Sequence, residues 1–140
     1  MKRLSTVFLL LTIIGLSACS KNNNGGCGTQ MCSTEFATIV FQFTDKNGTP
    51  TAVTDVKLIN IRTNKAVKIP PPNPYANTVA GFVALADDST KSEFSAGGDE
   101  VRVSAKSVET GKMASATLKI SGGCNCHVSK VSGPDKVAFN

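Results

Sequence analysis

Two nine-residue segments, EVRVSAKSV (100–108) and MASATLKIS (113–121), flank the turn ETGK (109–112) and limit the fold more than any other feature of the chain. Apolar residues recur at every second position: Val101, Val103 and Ala105 in the first, Ala114, Ala116, Leu118 and Ile120 in the second. A helix would scatter these side chains around its axis, whereas a strand places them on one face. The pair therefore reads as a hairpin with one buried side. The same alternation appears in EFATIVFQF, where Ala37, Ile39, Phe41 and Phe43 share a face, and DKNG (45–48) follows as a turn. Further strands are expected over 54–62, over AVKI after the turn at Thr63 to Lys65, over GFVALA (81–86), and over HVSKV with KVAF as a short continuation beyond Gly133-Pro134. Prolines in PPPNPYAN (70–77) lack N–H donors, so that stretch reads as a stiff surface loop. About seven short strands with frequent turns and no convincing helix predict a single antiparallel β-sandwich, all-β and immunoglobulin-like in the broad sense. Antibody domains mark their core with a tryptophan, and this chain has none.

The first residues carry a different message. MKRLSTVFLLLTIIGLSACS opens with Lys2 and Arg3 and continues through a mostly apolar run to Leu16. That run is shorter than the roughly twenty residues of a permanent membrane helix and has the form of a secretory signal peptide. Its end, Leu16-Ser17-Ala18-Cys19, resembles the lipobox of bacterial lipoproteins. The resemblance implies cleavage before Cys19, acylation of that cysteine and a signal peptide over 1–18. Residues 19–26 then form the lipidated cysteine and a flexible tether, with the sandwich domain over 27–140. Ser20 leans toward the outer membrane, because in enterobacterial lipoproteins an aspartate there would suggest retention in the inner membrane. SKNNNGG (20–26) is polar and aperiodic and spans about 20 Å when extended.

Removing residues 1–18 from 140 leaves 122, which is enough for one domain with a real core. The formal charge falls from +5 to +3 with the loss of Lys2 and Arg3, and the remaining lysines are scattered. No basic stripe interleaved with aromatics is present, so nucleic acid is not an expected partner.

Besides Cys19, the chain has Cys27, Cys32, Cys124 and Cys126. An even number in a small exported domain points to disulfides. Cys124 and Cys126 would point to opposite faces of an extended strand, so bridges are expected from the Cys27/Cys32 segment to the Cys124/Cys126 segment. Which cysteine meets which stays open. A bridge closing a loop of about a hundred residues contributes on the order of 4–5 kcal/mol in the chain-entropy model. The alternative is a metal site drawn from Cys27, Cys32, Cys124, Cys126 and His127, since zinc needs four such donors. CxCH leaves little room to chelate, and an oxidising compartment competes for the thiols.

Nucleophilic catalysis of the Ser-His-Asp or Cys-His type would have to use His127, the chain's one histidine. No GxSxG elbow, HExxH or phosphate-cradling glycine loop accompanies it. Asp45, Asp87, Asp88, Asp99, Glu100 and Glu109 lie near turns and could gather for calcium if two loops met at one sandwich end. Sugar sites normally offer aromatic platforms, and Tyr75 is the only tyrosine.

The C-terminal CNCHVSKVSGPDKVAF, preceded by ATLKISGG, resembles small lipoproteins of Bacteroidota with a C-terminal CxCHVxKVSGP signature. The similarity includes TDKNGTP and the ADDS stretch. It implies an envelope location and a single β-sandwich, with the cysteine signature part of the domain's design. It implies no active site. The expectation is a non-catalytic, lipid-anchored envelope protein of the outer membrane, held by its lipid and acting as a structural or protein-interaction module with a possible envelope protein partner and no cofactor. The alternatives are the metal-binding protein above and a glycan- or ligand-binding accessory whose site is formed by loops 70–80 and 87–99.

Overall fold

The structure, a computed structural model, describes residues 27–71 and 80–140. The expected signal peptide, Cys19, the tether and Tyr75 lie outside the described residues. Among the described residues eight strands follow in chain order: β1 (Thr38–Thr44), β2 (Val53–Asn60), β3 (Lys65–Ala66), β4 (Phe82–Asp87), β5 (Asp99–Ser107), β6 (Met113–Ser121), β7 (Ser129–Ser132) and β8 (Lys136–Ala138). One short 3-10 turn, Lys91–Glu93, interrupts the β4–β5 connection. The strands form a three-stranded sheet in the order β4-β1-β8 and a five-stranded sheet in the order β3-β2-β5-β6-β7. This is the expected β-sandwich.

Alternation decides which side chains fill the space between the sheets. In β1, Ile39, Phe41 and Phe43 point inward and are buried, while Thr38 and Val40 face out. Val101, Val103 and Ala105 of β5 are fully buried, and Leu118 and Ile120 of β6 join them, with Ala114 and Ala116 packed at the margin. The hairpin has the register that the alternation requires, with Val101 opposite Leu118 and Val103 opposite Ala116. Phe41 meets Phe43 edge-on at 5.3 Å, and Phe43 stacks on Phe139 at 5.9 Å, geometries that add to the burial of the rings themselves.

The C-terminal strands depart from expectation. Val137 and its neighbours do not continue β7 but cross to the other sheet, where β8 pairs with β1 in parallel, Phe43 opposite Val137. Gly133 makes the crossing possible. Its φ is +104°, and a Cβ there would sit 2.6 Å from the Leu118 Cα, so the chain can pass over β6 only without a side chain. The crossing lays Phe139 on the core and ties both sheets to the C-terminus. Of the strand expected over AVKI only Ala66 is in β3, which begins at Lys65 within the expected turn; Val67 N–H still donates to Leu58 O at 2.8 Å before the chain leaves β2.

At one end of the sandwich lie the start of β1, the ends of β2, β4 and β6, and the starts of β5 and β7; we call it the clasp end. No helix among the described residues is long and apolar enough to cross a membrane.

Candidate functional site

The clasp end is built on two disulfides, Cys27–Cys124 and Cys32–Cys126. They fasten the exposed N-terminal arm, residues 27–37, to the β6–β7 connection, and they resolve the pairing that spacing left open. The expected bridges are present. The zinc alternative loses its donors, since a disulfide sulfur is not a thiolate. Among the described residues, no group of three or more His, Cys, Asp or Glu is placed to hold a metal ion.

The turn that presents Cys124 and Cys126 is shaped by the β4–β5 connection. Gly122 N–H donates to Ser95 O at 3.0 Å, and Gly123 N–H donates to Lys91 O at 2.7 Å. Lys91 Nζ donates to the carbonyls of Asn125 at 3.2 Å and Cys126 at 3.3 Å, and Asn125 Nδ2 donates to Ala96 O at 3.0 Å. A Cβ on Gly122 would lie 2.4 Å from the Lys91 carbonyl oxygen, so the backbones meet at this point without room for a side chain.

Beside the bridges, three side chains form a continuous hydrogen-bonded row. His127 Nδ1 lies 2.7 Å from Asp88 Oδ2, and His127 Nε2 lies 3.0 Å from Ser33 Oγ. Ionised Asp88 can only accept, so the imidazole proton sits on Nδ1. When the ring carries that one proton, Nε2 accepts the Ser33 hydroxyl proton. Asp88 is itself fixed: its Oδ2 also accepts from Ala37 N–H at 2.9 Å, and its Oδ1 accepts from Val128 N–H at 2.8 Å. Burial pushes the Asp88 carboxyl up, but the Ala37 N–H, His127 and Val128 N–H together outweigh it and hold the group below the usual carboxylate range. Ser33 is exposed, while the side chains of His127 and Asp88 retain 26% and 14% of their accessibility, so the row runs from solvent to the sandwich edge.

A second polar group lies nearby and is closed. Asp99, at the start of β5, accepts from Arg62 Nε at 2.6 Å and Nη2 at 2.8 Å, a two-pronged pair. It also accepts from Ser95 Oγ at 2.7 Å, Ser95 N–H at 3.0 Å and Asn60 Nδ2 at 2.8 Å. Arg62 foremost, then Ser95 and Asn60, hold its carboxyl far below the usual range against the opposing effect of burial. Every acceptor position of Asp99 is used within the protein, so this network braces the β4–β5 connection.

The carboxylates considered for calcium do not gather. Asp45 closes its own turn through Asn47 N–H and Thr49 N–H, both at 2.8 Å, and shares the far end of the sandwich with Glu109. Asp87, Asp88 and Asp99 lie at the clasp end but serve separate bonds: Asp87 holds Ser89, Asp88 holds His127, and Asp99 holds Arg62. The two loops considered for a glycan site join β4 at opposite ends, 70–80 leading into Phe82 and 87–99 leaving from Asp87.

Of the row, His127 and Asp88 were both singled out from sequence, in different contexts, and Ser33 was not. The signal that would have joined them is positional. Ser33 and His127 each directly follow one partner of the Cys32–Cys126 bridge, so that pairing sets their side chains next to each other. Comparison with protein-family models, curated proteins and solved structures finds no match.

Proposed function

We propose that this protein is a lipid-anchored module of the bacterial cell envelope, acylated at Cys19 after removal of residues 1–18 and held at the outer membrane. The sandwich serves there as a structural or protein-interaction body. The observation that carries the reading is the clasp. Cys27, eight residues beyond Cys19, is bonded to Cys124, and Cys32 to Cys126, which suits an oxidising compartment outside the cytoplasm. The bridges also suit an anchored body. A pull on the tether passes through covalent bonds to the β6–β7 connection of the five-stranded sheet and does not peel β1 from its neighbours. Two or three acyl chains, at about 0.8 kcal/mol for each buried methylene, make such an anchor effectively permanent.

Intact mass and N-terminal peptide analysis of protein purified from membranes tests the reading. The expected product begins at an acylated Cys19, and Cys19→Ser moves the protein from the membrane fraction to the soluble one. An unmodified amino terminus on membrane-extracted material would overturn it.

A further inference from the structure

We infer that Ser33 is an activated nucleophile that accepts acyl groups from esters with apolar acyl chains, with His127 as its general base and Asp88 as the positioning residue. The inference goes beyond the anchoring role and does not depend on it. The distances of 3.0 Å from Ser33 Oγ to His127 Nε2 and 2.7 Å from His127 Nδ1 to Asp88 Oδ2 are those of a nucleophile, a base and the group that orients the base. Asp88 fixes the tautomer. With the proton on Nδ1, the free lone pair of Nε2 faces the hydroxyl that must be deprotonated.

The surroundings suit acyl transfer. The arm around Ser33 is exposed, so an ester can reach Oγ without entering a cavity. Met31 and Phe36, two residues before and three after, are, among the described residues, the most exposed large apolar side chains, at 101% and 66%, and offer an acyl chain a surface to lie on.

The step balances without a cofactor. Ser33 Oγ bonds to the ester carbonyl carbon as its proton passes to His127 Nε2, giving a tetrahedral oxyanion. The bond to the alcohol oxygen then breaks, and the alcohol leaves with the proton from Nε2. Water attacks the acyl-Ser33 and gives a proton to His127. The carboxylic acid departs and Ser33 recovers its proton, so one ester and one water become one acid and one alcohol.

The test uses the full chain in detergent, an alkyl fluorophosphonate as probe and p-nitrophenyl butyrate as substrate. A phosphonyl adduct mapped by mass spectrometry to Ser33 is expected, together with ester hydrolysis at least 100-fold above that of Ser33→Ala. Peptide mapping of both disulfides in each variant shows that the clasp is intact. His127→Ala should lose labelling and regain it with added imidazole, a rescue that a merely structural histidine would not show. Asp88→Asn should lower kcat with KM unchanged. No adduct at Ser33, or an adduct formed equally well in His127→Ala without imidazole, would overturn the inference.

Discussion

Removing the two disulfides gives a measurement of how the N-terminal arm is held. If the arm stayed docked without them, the chain-entropy model would assign Cys27–Cys124, with its separation of 97 residues, about 4.7 kcal/mol. The second bridge then closes only a small ring, five residues along the arm and two along the CNC turn, worth roughly 2.4 kcal/mol. Loss of both would cost about 7 kcal/mol on that basis. The structure argues for much less. The arm contributes no strand residue, and its noncovalent ties to the body include the bond from Ser33 to His127 and, at its root, Ala37, which donates to Asp88 Oδ2, accepts from Asp88 N–H and packs at the margin of the core. Without bridges it comes free in the folded state as well, and only the difference in loop length between folded and unfolded chains counts. In the folded state Cys32 is five residues and Cys27 ten residues from Ala37, where the body begins. Loop-closure scaling then gives about 3 kcal/mol for loss of both bridges and under about 1 kcal/mol for either alone. Urea unfolding followed by far-ultraviolet circular dichroism should therefore show Cys27→Ser/Cys124→Ser and Cys32→Ser/Cys126→Ser close to the parent. The fourfold serine variant should be lower by far more than their sum. A fourfold cost near 7 kcal/mol, or a single-bridge cost near 2.4, would refute the reasoning and make the arm an integral part of the core.

The bracing of the clasp end has measurable consequences of its own. Asp99→Ala should cost about 3 kcal/mol in the same assay, since it strips Asn60 and Ser95 of a buried charged acceptor whose side chain is 1% exposed. Because the Asp99 carboxyl is held far below its unfolded value, its contribution is fully present above about pH 4 and is lost as pH falls toward the folded value. The parent should thus lose stability on acidification below pH 4 more steeply than Asp99→Ala, and parallel curves would count against the assignment. Gly122→Ala should lower stability by roughly 2 kcal/mol and slow correct disulfide formation, because its Cβ would meet the Lys91 backbone at 2.4 Å. Peptide mapping after oxidative refolding reads the second effect directly.

The sandwich was legible because its strands bury one face each. Val101, Val103, Leu118 and Ile120 announce their side by alternation, and the register follows once ETGK is read as a turn. β8 was not legible in the same way. Its three residues, Lys136–Ala138, would suit either sheet, and the choice is made by the backbone passage at Gly133 over Leu118, a close approach between segments fifteen residues apart. The clasp was half legible. Exported cysteines at the two ends of the domain implied bridges between them, but the row of Ser33, His127 and Asp88 joins three segments that no local pattern relates.

Chain entropy explains why spacing could not choose the pairing. Joining Cys27 to Cys124 and Cys32 to Cys126 closes loops of 97 and 94 residues, and exchanging partners would close loops of nearly equal length. Loop closure depends on the logarithm of length, so the two arrangements differ by less than about 0.1 kcal/mol. The choice falls to contacts that need the folded body. Ala37 N–H is fixed on Asp88, which sets where the arm leaves β1, and Asp88 also holds His127. With that exit fixed, Cys32 is the nearer cysteine along the arm and meets Cys126, next to His127, while Cys27 goes on to Cys124. Asp88 thus ties the arm's exit from β1 and the residue after Cys126 to one carboxylate. Ser33 and His127 each follow a cysteine of the same bridge, so the observed pairing sets these two side chains of the row side by side.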